Sequence, residues 1–208
     1  MLPSLALSLL GLLLPETTAY TTLSDDSLRR LPSPGNDFNI DTGALLAPIL
    51  QTRVPGTSGS AAVLQHFVDF FQNSLPEWNI TFQNSTAATP LSGDGTIPFV
   101  NLIATRDPPW ASEGQVGRLA LVAHYDSKMD PPGFIGATDS AAPCAMIMHA
   151  VKSLDKAMTA KWAAMEAEGV GSGGFDDVED HAGLQVLLLD GEEAFQVWTH
   201  TDSIYGAR

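Results

Sequence analysis

The chain has one cysteine, Cys144, in 208 residues. A single thiol excludes an internal disulfide, so the fold has to rest on its apolar core. Positive charge is also scarce. Ten Lys and Arg stand against 24 Asp and Glu, for a formal net charge of -14. A nucleic-acid partner calls for a basic face, and this balance argues against one. Apolar runs long enough to span a bilayer are missing; the longest candidate, residues 5–14, is too short. Three catalytic signatures are absent as well: HExxH, Gly-x-Ser-x-Gly and the Walker loop. Their absence excludes a zincin, leaves the serine-hydrolase elbow unsupported and removes a nucleotide cradle.

What is present suits a folded protein. Hydrophobic residues make up 44% and charged residues 16%, enough to build a core and unlike a disordered chain. The length suits one domain or slightly more. Residues 5–14 form an apolar run of signal-peptide length, followed by Pro15 and the small residues Thr17, Thr18 and Ala19. The pattern predicts a signal peptide over 1–19 and secretion or entry into the secretory lumen, although no Lys or Arg precedes the run. Asn79-Ile80-Thr81 and Asn84-Ser85-Thr86 are glycosylation sequons, which matter only on an exported chain. Residues 20–43 read as an irregular polar arm with Pro32, Pro34 and Gly35, and residues 44–208 as the folded body.

Residues 44–50 suggest a short apolar helix. The turn-rich stretch 53–60 ends in helix-cap residues, and Leu64, Phe67, Val68, Phe71 and Leu75 follow at helical spacing until Pro76 stops them. Trp78, Ile80 and Phe82 alternate with polar residues, as in a strand. Residues 86–96 read as a loop and 99–104 as a second strand, with Asn101 an edge or site residue. Residues 119–123 are apolar throughout, which suggests a central strand. A helix with Pro143 in its first turn follows, its apolar face carrying Met146, Ile147, Ala150, Val151 and Leu154. Residues 167–183 are Gly-rich and acidic, a solvated loop whose acids lack EF-hand spacing. The run Val186-Leu187-Leu188-Leu189 reads as a buried strand that breaks at Asp190-Gly191. Strands alternating with helices give an α/β fold, a mixed central sheet with helices on both faces.

Three strand ends then offer polar groups: His124 with Asp126, Asp139, and Glu192 with Glu193. Open α/β sheets keep their chemistry at the carboxyl ends of strands. Zinc takes His nitrogen and carboxylate oxygen, and a spare carboxylate beside it serves as a general base. Each group also has a plain structural use. The two glutamates would suit the acidic first turn of a helix. His124 and Asp126 would suit a hydrogen-bonded pair closing a strand, Asp139 a helix cap, and Trp198 the core.

VPGTSGS at 54–60, HYDSK at 124–128, GATDSAAPCAM at 136–146, DGEEAFQVW at 190–198 and the following TDSIYGAR resemble the glutaminyl-peptide cyclotransferase family. That family has the fold of the zinc-dependent aminopeptidases (phosphorylase/hydrolase-like), and the resemblance runs from about Arg53 onward. It implies a zinc enzyme that converts amino-terminal glutaminyl peptides to pyroglutamyl peptides and releases ammonia. Position by position, it implies that Asp139 and Glu193 bind zinc, that Glu192 transfers protons, and that Trp198 lines the pocket for the glutamine side chain. In two-zinc aminopeptidases the His of HYD ligates the second metal; with the single zinc usual in cyclotransferases, His124 and Asp126 would instead support the site. Related cyclotransferases often pair a cysteine before HYDS with the one in APCAM; here Ala123 leaves Cys144 alone. The family's third zinc ligand, a His, comes from the far half of its domain. His149, His181 and His200 sit in no matching motif, so residues 44–208 are expected to form the amino-terminal portion of that domain. The alternatives are an aminopeptidase of the same fold and a catalytically incomplete fragment.

Overall fold

The computed structural model describes residues 22–112, 114–170 and 182–208. The leader, and the acidic loop residues Asp176, Asp177, Glu179, Asp180 and His181, lie outside the described residues. The chain divides into two units, one ending at Ser33 and one running Pro34–Arg208. In the first, a single helical turn, α1 (Asp25–Arg29), starts at Ser24, whose hydroxyl accepts the Ser27 N–H. Acids in its first turn and Arg29 in its last complement the helix dipole.

Among the described residues, the second unit is built on four strands: β1 (Asn79–Ala87), β2 (Ile97–Arg106), β3 (Gly117–His124) and β4 (Ala182–Leu189). Their order is β1-β2-β4-β3. β2 runs antiparallel to both β1 and β4, while β3 and β4 are parallel, so the sheet is mixed. Parallel neighbours need a crossover, and the helix α3 (Ala142–Ala167) provides it between β3 and β4.

Two sequence expectations shift here. β3, expected at the centre, pairs only with β4 among the described residues, and Leu119 and Val122 are 65% and 52% exposed. An uncharged run signals apolar faces; it carries no information about which edges are paired. β1 also runs on to Ala87, because Ser85, Thr86 and Ala87 pair with Phe99, Pro98 and Ile97. Asn101 sits on an interior strand rather than an edge.

The helix α2 (Ser58–Ser74) begins at Thr57, whose hydroxyl accepts the Ser60 N–H, and ends two residues before Pro76. Val63, Phe67, Phe70 and Phe71 are buried on it at helical spacing. Leu64 and Val68 are only partly buried, so the buried stripe lies slightly around the helix from the expected one. On α3 the rotation is larger. Cys144, Ala145, Met148 and Val151 are buried, whereas Met146 and Leu154 are 59% and 45% exposed. Residues 44–50 form only a 3-10 turn, Ala47–Ile49, since Pro48 removes a backbone donor.

Leu102 and Ala104 on β2 face the same way as Leu184, Val186 and Leu188 on β4, and both long helices join them in one core. Completely burying a Leu or Phe side chain stabilises by about 1.5–3 kcal/mol. Phe67, Phe71, Leu102 and Leu188 are all at 0% exposure. This core fixes the sheet. Its parallel pair then delivers His124 and Leu189, which are register partners, to the same rim.

Candidate metal centre

Beyond that rim the backbone turns sharply. Gly191 has φ +68°, and a Cβ there would run into the Phe99 ring, so the position requires glycine. No helix follows it, which removes the reading of Glu192 and Glu193 as a helix's acidic first turn. Instead, Asp126, with a fully buried side chain, holds the turn. Its two oxygens accept the N–H groups of Glu192 and Glu193 at 3.0 and 2.9 Å. A second brace comes from TDSIYGAR. The Ile204 and Tyr205 N–H groups donate to the carbonyls of Glu192 and Gly191, and the Tyr205 ring stacks on Phe99 at 5.3 Å. Asp202 collects the N–H groups of Phe195, Gln196 and Val197 and the Tyr205 hydroxyl.

Asp139 arrives from the other side. It does not cap α3, whose first turn has no side-chain cap. Its carboxylate meets His124 Nε2 at 2.9 Å, while His124 Nδ1 lies 3.2 Å from Asp126. Arg53, wholly buried, sets the approach to Asp139. Its guanidinium donates to the carbonyls of Tyr125, Ile135 and Gly136 as well as Ile49 and Gln51. The Arg53 N–H donates to Ser127 Oγ at 2.9 Å.

His124, Asp139 and Glu193 each offer a ligand atom, and these atoms lie within 4.8 Å of one another. Glu192 is beside them, its carboxylate 3.9 Å from His124 Nε2. Glu193 is 5% exposed, and its Oε1 has no hydrogen-bond partner. A buried carboxylate oxygen left without a partner is costly, and a cation held between these donors would satisfy it. Lys128 Nζ is the nearest protein cation, 3.6 Å from the other oxygen.

The electrostatics are those of crowded acids. Burial raises the carboxyls of Glu192 and Glu193, and the charges of Asp126 and Asp139 push the same way. Burial alone would lower His124, but its bonds to Asp126 and Asp139 and the Glu192 charge outweigh it and lift it to about 9. Burial pushes Cys144 up to about 12, an inert thiol bonded to the His124 carbonyl.

Of the residues expected from the sequence, Asp139, Glu193, Glu192 and His124 come together. Trp198 does not join them; its ring is 53% exposed on the turn that Asp202 closes, so it is not core either. Arg53, Lys128 and Asp202 were not singled out. A charged residue at the head of VPGTSGS, and the lysine closing HYDSK, were the available signals.

The sequence model of Peptidase family M28 matches residues 101–208. That stretch contains every residue of the cluster. The chain belongs to peptidase family M28. It is similar to a glutaminyl-peptide cyclotransferase-like protein of Mus musculus, 39% identical over 169 residues, covering 80% of this chain and 38% of that protein. It is 35% identical over 167 residues to a glutaminyl-peptide cyclotransferase of Bos taurus, covering 78% and 41%. Its fold matches the crystal structure of Macrostomum lignano glutaminyl cyclase with a TM-score of 0.62 and 32% identity, over 86% of this chain and 44% of that one. A Zn-dependent exopeptidase from Parabacteroides distasonis shares the fold, with a TM-score of 0.52 and 19% identity over 82% and 54% of the two chains. This M28 chain thus spans about two-fifths of the length of the two curated relatives.

Proposed function

We propose that the chain carries the amino-terminal portion of a zinc-dependent glutaminyl-peptide cyclotransferase domain, with zinc held by Asp139 and Glu193 and protons moved by Glu192. The observation that carries this reading is the cluster itself. Carboxylates from two distant chain segments meet at one rim, with Glu193 Oε1 buried and unpartnered. Carboxylate oxygen is among the donor types zinc takes. The names of the similar proteins, cyclotransferases and glutaminyl cyclases, supply the reaction class.

Bound there, zinc supplies Lewis-acid polarisation of a carbonyl oxygen. The residues of the chain do the rest. The α-amino nitrogen of an amino-terminal glutamine attacks its own side-chain amide carbon, so a ring C–N bond forms and the amide C–N bond breaks. Both ends belong to one molecule, and a held conformer gains the large advantage of an intramolecular closure. Glu192 takes the amine proton and returns it to the departing ammonia. Burial raises its carboxyl above the usual glutamate range, which strengthens it as the base that takes the amine proton. Trp198, exposed on the neighbouring turn, is the surface on which the glutamine side chain is held in this reading.

The test is ammonia release from a glutaminyl dipeptide, with and without a chelator. Chelator-sensitive ammonia and a blocked amino terminus support the reading. Release of a free amino acid points instead to an aminopeptidase. His124 offers a ligand nitrogen beside Asp139 and Glu193, and its use as a metal ligand would favour that second reading.

The same reading places the protein in the secretory route. Asn79 and Asn84 lie exposed on the outer strand β1, where glycan transfer would meet no steric barrier. No helix among the described residues is long and apolar enough to cross a membrane. Expression in a secreting eukaryotic host, followed by N-glycosidase, tests this: a mass loss that disappears in Asn79→Gln/Asn84→Gln supports it, and an unmodified or retained chain contradicts it.

A further inference from the structure

Among the described residues, β1 is the outermost strand on its side of the sheet and pairs with β2 alone. Such a strand turns a row of backbone N–H and C=O groups outward, a template for a further strand. Proteins blunt these edges with charge, proline, a bulge or brevity. β1 uses none of them. It has nine residues, no proline and an unbroken register with β2, and residues 78–93 contain no Asp, Glu, Lys or Arg. Ile80, Thr81, Phe82 and Thr86 favour extended chain, and Phe82 is 47% exposed.

What β1 does carry is the two sequons, Asn79-Ile80-Thr81 and Asn84-Ser85-Thr86. Their asparagines are an odd number of residues apart on one strand, so the side chains leave opposite faces. Ile80 is paired with Ala104 and packs on the main core. Asn84 shares that helix-covered face, and Asn79 lies on the other. There it borders a polar recess of about 410 Å³ with Glu77, Thr105, Asp107 and Arg118, which leaves room for the first sugars.

We infer that N-linked glycans at Asn79 and Asn84, one on each face, guard the β1 edge against pairing with β1 of a second copy of this chain. The inference rests on the secretory reading for the presence of the sugars. The second copy is the occupant because the strand is self-complementary. Antiparallel pairing about Gln83 engages every residue of β1 and sets no charge against another. Thr81 then opposes Ser85 of the copy, Phe82 opposes Asn84, and Asn79 opposes Ala87. A two-fold contact of this kind closes at a dimer. Directly opposed Cβ atoms lie about 4.5–5.5 Å apart. A sugar on Asn84 would therefore stand against the copy's Phe82, and one on Asn79 against its Ala87.

The experiment expresses the full chain in a secreting eukaryotic host, reads glycan mass by mass spectrometry and reads association by sedimentation equilibrium. The glycosylated chain should stay monomeric. Asn79→Gln/Asn84→Gln should dimerise. Thr81→Ala/Thr86→Ala, which removes both sequons and keeps the asparagines, should do the same. All four positions are exposed, so the fold should be retained. Added to Asn79→Gln/Asn84→Gln, Thr81→Lys/Ser85→Lys sets lysine opposite lysine across the pairing and should weaken the dimer about tenfold. Val122→Lys, on β3, should leave the dimer unchanged. Sequon-free variants that stay monomeric, or a glycosylated chain that associates as tightly as they do, overturn the guard and leave the secretory reading standing. A dimer that survives the lysines, or that Val122→Lys breaks, overturns β1 as the surface. A chain without glycan mass overturns the inference together with the secretory reading.

Discussion

Asp126 and Glu193 are joined through backbone: the Asp126 carboxylate accepts the Glu193 N–H at 2.9 Å and the Glu192 N–H at 3.0 Å. One buried acid thereby aims two others. Asp126→Asn replaces one accepting oxygen by an NH2 group facing an amide N–H. The expected cost is about 2–3 kcal/mol, the range for losing a hydrogen bond to a charged group and leaving its donor buried. Urea unfolding measures it. A change below about 0.5 kcal/mol would mean that the turn holds itself.

Glu192 and Glu193 are neighbours with separate tasks. Glu192→Gln should lower turnover by about 10²–10⁴, the usual contribution of a positioned acid/base, with zinc affinity nearly unchanged. Glu193→Gln should lose zinc along with turnover, since the amide removes the charge that its unpartnered oxygen presents. Equilibrium dialysis beside an ammonia assay separates the two. Zinc loss on Glu192→Gln would reverse the roles.

The metal-free protein should lose stability as pH rises. His124 is lifted from 6.5 to about 9, so its contribution is complete below pH 6.5 and is lost as pH climbs through 9. Burial raises Asp190 from 3.8 to about 7, and its contribution is likewise complete below about 4 and lost through pH 7. Urea midpoints in chelator should therefore fall across both windows. His124→Gln should flatten the upper window and Asp190→Asn the lower one. Slopes identical to those of the parent chain would contradict this.

Much of this was legible in the sequence, for reasons that can be located. β4 was plain because its apolar run ends at Asp190-Gly191, and α2 because its apolar residues recur at helical spacing until Pro76, although the helix already starts at Ser58, inside the stretch 53–60 that reads as a turn. The acids were visible one by one, and family motifs made them a set, although Asp139 sits in the turn Ala137–Ala141 before α3 and not at a strand end. The sequence was silent where the cause is three-dimensional. Leu119 and Val122 look central but lie on the outermost strand of the described sheet, since pairing leaves no mark on composition. Met146 reads as core yet is exposed, because α3 is rotated so that Cys144 and Met148 face the sheet. Arg53 resembles any loop arginine until the carbonyls converging on it are seen.

Gly191→Ala tests the turn without touching a charge. The backbone is left-handed there, and the added methyl would strike the Phe99 ring. Strain and overpacking together should cost about 2–4 kcal/mol, read as a lower urea midpoint. An unchanged midpoint would show that the Phe99–Tyr205 stack yields freely.

The central claim is that Asp139 and Glu193 share one divalent cation. Cobalt titration tests it most directly, because bound Co(II) absorbs in the visible range and each ligand change alters the spectrum. The account predicts one bound equivalent in the parent chain and none in Asp139→Asn or Glu193→Gln. Full-strength spectra in both variants, or no uptake by the parent chain, would contradict it.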